Sequence, residues 1–255
     1  MSPIEKASSL TARKGQNKIT ALTAYDFPTA RLIDEVGIDL ILVGDSLGMV
    51  VLGFPDTTHV TMAHMCHHTA AVARAKPSAL ILGDMPIHSY DSPALAVENA
   101  QRLHDAGAEA VKLEGGMEQI PKISAILQAG IPVIGHIGML PQQILSEGAY
   151  RKKGRTAESA QKLLADAQAL SAAGVCAIVL ESVIPDVAAT ITAAISVPTI
   201  GIGCGENTCD GEVAVITDLL GSYPWFVPPF AKPEANLATT IRQAVAAYKR
   251  RVQHT

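Results

Sequence analysis

The chain has 255 residues, 48% of them hydrophobic but only 4% aromatic, and a net charge of -4. With no basic excess it lacks the electrostatic footprint of a nucleic-acid binder, and its polar first 14 residues hold no apolar signal-peptide core, so secretion is not expected. Four scattered cysteines (Cys66, Cys176, Cys204 and Cys209) make no disulfide framework at this size, in keeping with a reduced, cytoplasmic setting.

Short apolar runs recur along the chain at 19–24, 39–43, 79–82, 110–113, 132–135, 177–180 and 198–202. Their near-continuous Val/Ile/Leu character predicts strands buried on both faces. Between them lie amphipathic stretches at 30–36, 94–106, 120–129 and 157–173, stopped by Gly37, Gly107, Gly130 and Gly174. Glycine just past a helix end accepts positive φ without a Cβ clash. The loop 45–59 is long enough to cover a site. The uncharged stretch 187–205 approaches membrane-span length, but Pro198 and several glycines make it a helix, a turn and a short strand. An eighth strand is expected within 212–216, where the pattern is faintest. Alternating β and α over 1–255, with no break in composition, predicts a single α/β domain, a (β/α)₈ TIM barrel. A doubly wound sheet has the same alternation, but no GxGxxG follows the first strand to favour it.

The chemistry sits at the strand ends. Strand two ends in Asp45, strand three in Asp84, strand four in Glu114, strand five in His136 and strand six in Glu181. In a parallel barrel these ends meet on one face, where active sites are built. One such residue alone reads as a helix cap or a surface charge; five in register aim at one mouth. Asp45, Asp84 and Glu114 offer only oxygen, and packed together without a cation at least one would stay protonated. A hard divalent ion removes that conflict and suits Mg²⁺, with Mn²⁺, Co²⁺ or Zn²⁺ as substitutes. Lys112 shares the face of strand four with Glu114, where it suits an anionic substrate or a barrel-interior ion pair to Asp84 or Glu114.

Other features read more plainly. His64, His67 and His68 share a helix face, with His59 nearby and no carboxylate among them, which makes them surface residues. Gly44-Asp45-Ser46-Leu47 spells a serine-esterase block, but the only late histidine to serve it is His254. The basic groups 151–155 and 249–251 read as solvated surface. Cys204 and Cys209 lack the second pair that a zinc site needs. Gly201-Ile202-Gly203-Cys204-Gly205, after strand seven, suits a phosphate or the close approach of backbone to a flat ligand.

Thr23-Ala24-Tyr25-Asp26, Leu42-Val43-Gly44-Asp45-Ser46-Leu47-Gly48-Met49, Val60-Thr61-Met62 with His68-Thr69, Val111-Lys112-Leu113-Glu114-Gly115-Gly116, Gly135-His136-Ile137-Gly138-Met139-Leu140-Pro141-Gln142 and Gly201-Ile202-Gly203 with Asp210-Gly211 occur in this order. Together they resemble the ketopantoate hydroxymethyltransferase family, over residues 19–221. The resemblance implies a (β/α)₈ barrel that transfers a hydroxymethyl group from 5,10-methylenetetrahydrofolate to 3-methyl-2-oxobutanoate, giving 2-dehydropantoate in pantothenate synthesis through a metal-stabilised enolate. It implies Mg²⁺ at the 2-oxo acid, metal and substrate residues at Asp45, Ser46, Asp84, Lys112 and Glu114, and the catalytic base at Glu181. Lys112 and His136 are expected to support the developing charge. A homo-oligomer, a decamer in the family, is also implied. Cys204 stands where the family usually has Ala, His59 replaces an apolar residue, Thr217 replaces a His, and 223–230 departs from the usual pattern. Those at strand seven and beyond bear on the folate side; the metal and oxo-acid side matches throughout. The alternatives are a related Mg²⁺-dependent barrel lyase or mutase acting on another small 2-oxo acid, although no cysteine-bearing loop follows strand four, and a non-catalytic ligand-binding barrel, which would need no Glu181.

Overall fold

Each apolar run forms a strand, and eight strands run in parallel: β1 (Ile19–Thr23), β2 (Leu40–Val43), β3 (Leu80–Asp84), β4 (Ala110–Glu114), β5 (Val133–Gly138), β6 (Ala177–Glu181), β7 (Thr199–Ile202) and β8 (Gly211–Ala214). In this computed structural model, which describes residues 1–147 and 151–253, they pair in chain order and close into a barrel. Closure rules out the doubly wound sheet, which has two open edges. The eighth strand, expected within 212–216, starts one residue earlier, and it pairs with β7 only at Ile200–Gly211 and Gly201–Glu212. The seam with β1 is tight. Ile19 N donates to Asp210 O at 2.9 Å, and a Cβ on Gly211 would lie 2.4 Å from Ile19 O, so only glycine fits there.

Period-two alternation sends every other strand residue into the barrel. The deeper positions are apolar: Leu40, Leu80, Leu82, Ile134, Val179 and Ile200 belong to one buried cluster. Its N-terminal end is plugged by a helix that the sequence reading did not anticipate, Pro3–Thr11. Ser2 and Glu5 form a capping box, satisfying backbone N–H groups that a helix start otherwise leaves bare. The helix thereby turns Ala7 and Leu10 into the barrel cluster, and Lys6 Nζ ties it to Pro77 O, Ala79 O and Glu109.

The outer helices include Phe27–Val36, Pro93–Asp105, Ile120–Gln128 and Ala157–Ala173, close to the expected stretches. Gly37, Gly107, Gly130 and Gly174 all have positive φ, as terminators should. Residues 187–205 divide as expected into the end of helix Pro185–Ala194, a turn and β7. The loop 45–59 carries two short helical turns, Leu47–Val50 and Thr57–His59. The basic group 151–155 differs in part from its solvated reading: Arg151, Lys152 and Arg155 are exposed, but Lys153 N donates to Ser182 O at 2.8 Å and Ile184 N to Lys153 O at 3.0 Å.

Two compact units are present, Met1–Val213 and Ala214–Thr255. The second contains helices Ile216–Leu219 and Leu237–Gln253, and its return segment bonds back on itself through Glu234 N to Leu219 O and Leu237 N to Leu220 O. Among the described residues, no helix is long and apolar enough to cross a membrane.

Candidate active site

The polar layer begins where the apolar layers of the barrel end. On β4, Ala110, Lys112 and Glu114 alternate onto one face, and the strand register sets Lys112 beside Asp84 and Glu114 beside His136. Lys112 Nζ donates to Asp84 Oδ1 at 2.7 Å and to His136 Nδ1 at 3.3 Å. The second Asp84 oxygen, Oδ2, accepts from the main-chain N of Asp45 at 3.2 Å. Asp45, Asp84, Lys112, Glu114 and His136 are all buried. Above them, Glu181 keeps 15% of its side chain exposed, and its Oε2 lies 3.2 Å from His136 Nε2 without the alignment of a hydrogen bond.

Glu181 owes its position to backbone constraints on both sides. A Cβ on Gly138, at φ 106, would lie 2.3 Å from Glu181 O, so glycine lets the tip of β5 run against that of β6. The next residue, Ser182, is buried with φ 50, a left-handed conformation that costs a non-glycine residue energy and recurs at functional sites. Ser182 is held there by its N–H on Ile202 O at 2.8 Å and by its carbonyl, which accepts from Lys153 N.

Two residues at the centre of the site were given no role in the sequence reading. Gln142 is buried in the turn Pro141–Gln143 that follows β5. Its Nε2 donates to Asp45 Oδ2 and to Met85 O, each at 2.9 Å, and its main-chain N donates to Glu114 Oε2 at 3.2 Å. Tyr90, from the loop after β3, donates its hydroxyl to Gln142 Oε1 at 2.6 Å. The one sequence signal was the place of Gln142 at the end of the Gly135–Gln142 motif; Tyr90 carried none.

Electrostatics follow from four carboxyl groups around one ammonium. Burial, and then the charge of Asp84, push the Asp45 carboxyl up to about 8, against the pull of Lys112 and the Gln142 amide. Burial raises Glu114 well above the ordinary carboxylate range. Burial also lifts Glu181 to about 8, with Lys112 opposing and Asp84 assisting. Burial disfavours the Lys112 charge, but Asp84, Glu114 and Asp45 outweigh it and hold the ammonium protonated. His136 is kept neutral, first by burial and then by Lys112. Negative charge therefore exceeds what one lysine can balance, and protons make up the difference.

A divalent cation would answer the same excess. Among the described residues, no group of three or more His, Cys, Asp or Glu side chains is drawn together tightly enough to hold a metal as it stands; Asp84 is turned to Lys112 and Asp45 to Gln142. The donor set still suits a hard ion, because it is all oxygen, and Glu114 Oε1 is buried with no hydrogen-bond partner.

Of the other residues singled out, Ser46 is half-buried at the start of the 45–59 loop, its Oγ 2.9 Å from Tyr25 OH. His68 Nδ1 lies 2.7 Å from Tyr25 O, which braces that loop from helix Met62–Ala73. His64 completes the capping box of its own helix, and His67 is exposed. The Cys204 and Cys209 side chains pack against Gly201, and Cys204 Sγ donates to Leu180 O at 3.0 Å. His254, the one candidate base for the esterase reading, lies outside the described residues.

The chain is similar to known proteins in sequence and in fold. Residues 5–255 match the family model described as ketopantoate hydroxymethyltransferase. The chain is 55% identical to 3-methyl-2-oxobutanoate hydroxymethyltransferase of Ignicoccus hospitalis, over 94% of this chain and 91% of that protein. It is 51% identical to the enzyme of the same name from Syntrophobacter fumaroxidans, over 96% of this chain and 87% of that protein. In fold it resembles phosphonopyruvate hydrolase in complex with oxalate and Mg²⁺, with TM-score 0.64, 17% identity, and coverage of 98% of this chain and 85% of that one.

Proposed function

Because the chain belongs to the ketopantoate hydroxymethyltransferase family, we propose that it transfers a hydroxymethyl group from 5,10-methylenetetrahydrofolate to 3-methyl-2-oxobutanoate, giving 2-dehydropantoate for pantothenate and coenzyme A synthesis. The observation that carries this reading is Glu181, a carboxyl raised by burial, set above three deeper carboxyls and one lysine at a single barrel mouth. Such a mouth suits a reaction in which a proton leaves carbon while negative charge grows on oxygen.

In this reading Asp45, Asp84 and Glu114 would hold a divalent ion, Mg²⁺ first, with Mn²⁺, Co²⁺ or Zn²⁺ as substitutes. When bound, the ion supplies Lewis-acid stabilisation to the 2-oxo acid; phosphonopyruvate hydrolase, which shares the fold, has been solved with oxalate and Mg²⁺. Ser46 and the protonated Lys112 bind the anionic substrate. His136, neutral and with its ring hydrogen on Nε2, supports charge developing at the mouth. Glu181 takes the proton from the branched carbon. A carboxyl at about 8 is a stronger base than an ordinary one, and a cation nearby brings its ionisation toward neutral pH.

The test is direct. The purified protein with 3-methyl-2-oxobutanoate, methylenetetrahydrofolate and Mg²⁺ forms 2-dehydropantoate, detected by mass spectrometry. Turnover of oxaloacetate or phosphonopyruvate without that product would replace this reading with the lyase or mutase alternative. The reading also carries a cytoplasmic setting and a homo-oligomer, a decamer by family resemblance, which sedimentation tests.

A further inference from the structure

We propose that Gln142, locked by Tyr90, is a positioning residue that sets the Asp45 and Glu114 carboxyls for a divalent ion; the inference rests on the metal-dependent reading above. The amide group of Gln142 has two N–H donors, and both are in use, on Asp45 Oδ2 and Met85 O. The main-chain N of the same residue donates to Glu114 Oε2. A single residue of the turn after β5 therefore ties the tips of β2, β3 and β4 together.

Its orientation is enforced. Flipping the amide would press Oε1 against the main-chain carbonyl oxygen of Met85, an acceptor that cannot donate in return. It would also turn the amide N–H groups toward Tyr90, whose hydroxyl donates to Oε1 at 2.6 Å in the native orientation. Tyr90 thus holds the donor face of the amide on Asp45. The loop that carries Tyr90 is itself pinned, by Asn99 Nδ2 donating to Ser89 O at 2.8 Å.

Glu114 gives an independent observation. Its Oε2 is taken by Gln142 N, whereas its Oε1 is buried with no hydrogen-bond partner among the described residues and lies 3.5 Å from the His136 Nδ1 that Lys112 already occupies. A buried carboxyl oxygen without a partner is costly, and it is what remains when a carboxylate is fixed by one oxygen to present the other. Partners that orient ligating carboxylates typically change metal affinity 10–100-fold when lost.

The experiment measures Mn²⁺ binding to the full chain by electron paramagnetic resonance of the free ion, alongside melting temperature and circular dichroism. Gln142→Met keeps the bulk and the main-chain contact to Glu114 but removes the side-chain donors to Asp45 and Met85; Tyr90→Phe removes only the hydroxyl. We expect Mn²⁺ affinity to fall by about 10–100-fold in Gln142→Met, and by a smaller factor in Tyr90→Phe, with both variants folded. Affinity unchanged in both, with melting temperature lowered, would mean a purely structural role and overturn the inference. If Gln142→Met does not fold, Tyr90→Phe decides alone, and unchanged affinity in it overturns the inference. Absence of Mn²⁺ binding in the unsubstituted protein overturns the metal reading itself, and this inference with it.

Discussion

Glu181 Oε2 and His136 Nε2 face each other at 3.2 Å across the tips of β6 and β5. The other ring nitrogen of His136 accepts from Lys112 Nζ, so the single ring hydrogen of the neutral imidazole sits on Nε2, toward Glu181. Lys112 in turn is bonded to Asp84. The carboxyl proposed as base is thus linked, through one neutral ring and one ammonium, to a carboxyl proposed to hold the ion. This chain of contacts makes the charge state of each member depend on its neighbours.

Lys112→Met breaks that chain at its only cation. The Lys112–Asp84 pair is buried on both sides at 2.7 Å, and removing one partner of a buried pair leaves an uncompensated charge that costs about 3–5 kcal/mol. Denaturant unfolding of the metal-free variant should show a loss of that size, and added Mg²⁺ should recover part of it by neutralising Asp84. A loss below about 1 kcal/mol would mean that the buried Lys112–Asp84 contact contributes little to the fold.

Stability should also respond to pH in a definite direction. Folded Asp45 and Glu181 hold their protons up to about pH 8, whereas unfolded they lose them near 3.8 and 4.5. Between pH 6.5 and 8 the unfolded carboxyls are already ionised, so these groups make metal-free stability fall as pH rises. An ion held by Asp45 displaces its proton and favours the ionised form of Glu181 nearby, so its affinity must rise over the same range. The stabilisation by Mg²⁺, measured as the difference between loaded and metal-free unfolding, should widen from pH 6.5 to 8. A difference that narrowed would contradict the shared use of these carboxyls by protons and cation.

Strands and strand tips were legible in the sequence because parallel strands buried on both faces must be continuously apolar, and the first ionisable residue after each run marks its C-terminal end. That logic brought Asp45, Asp84, Glu114, His136 and Glu181 together before any coordinates. Tyr90 was invisible to it, since its contact with Gln142 spans 52 positions and leaves no local periodicity. Gln142 appeared only as part of a motif, because a neutral amide advertises no charge. The N-terminal helix escapes this logic although Ser2 and Glu5 have the spacing of a capping box: no apolar run precedes it, and of its residues only Ala7 and Leu10 are buried. In sequence Lys153 reads as a surface charge because the backbone pairing that holds it, a bridge to Val183 just past the strand that ends in Glu181, leaves no mark in the residue type.

Cys204→Ala restores the residue usual in the family. The Cys204 thiol is buried and donates to the carbonyl of Leu180, next to Glu181, so its role in the fold is local support. Its loss should cost about 0.5–1.5 kcal/mol in unfolding and shift, if anything, the apparent affinity for methylenetetrahydrofolate. Proton exchange on the oxo acid should be unaffected. Loss of exchange in a folded Cys204→Ala protein would assign the thiol a chemical role that nothing in its surroundings suggests.

The central claim is that Glu181 removes the proton from the branched carbon while the carboxyls beneath it hold a divalent ion. It is tested most directly by following, by proton NMR in heavy water, the exchange of the C3 hydrogen of 3-methyl-2-oxobutanoate without folate. The unsubstituted protein should catalyse exchange with Mg²⁺, lose it on chelation and regain it when Mg²⁺ is restored. Glu181→Gln, which keeps size and hydrogen bonding but cannot accept the proton, should slow exchange by about 10²–10⁴ while still binding the oxo acid through Lys112 and the ion. Near-normal exchange in Glu181→Gln, or exchange that persists without any divalent ion, would contradict the account.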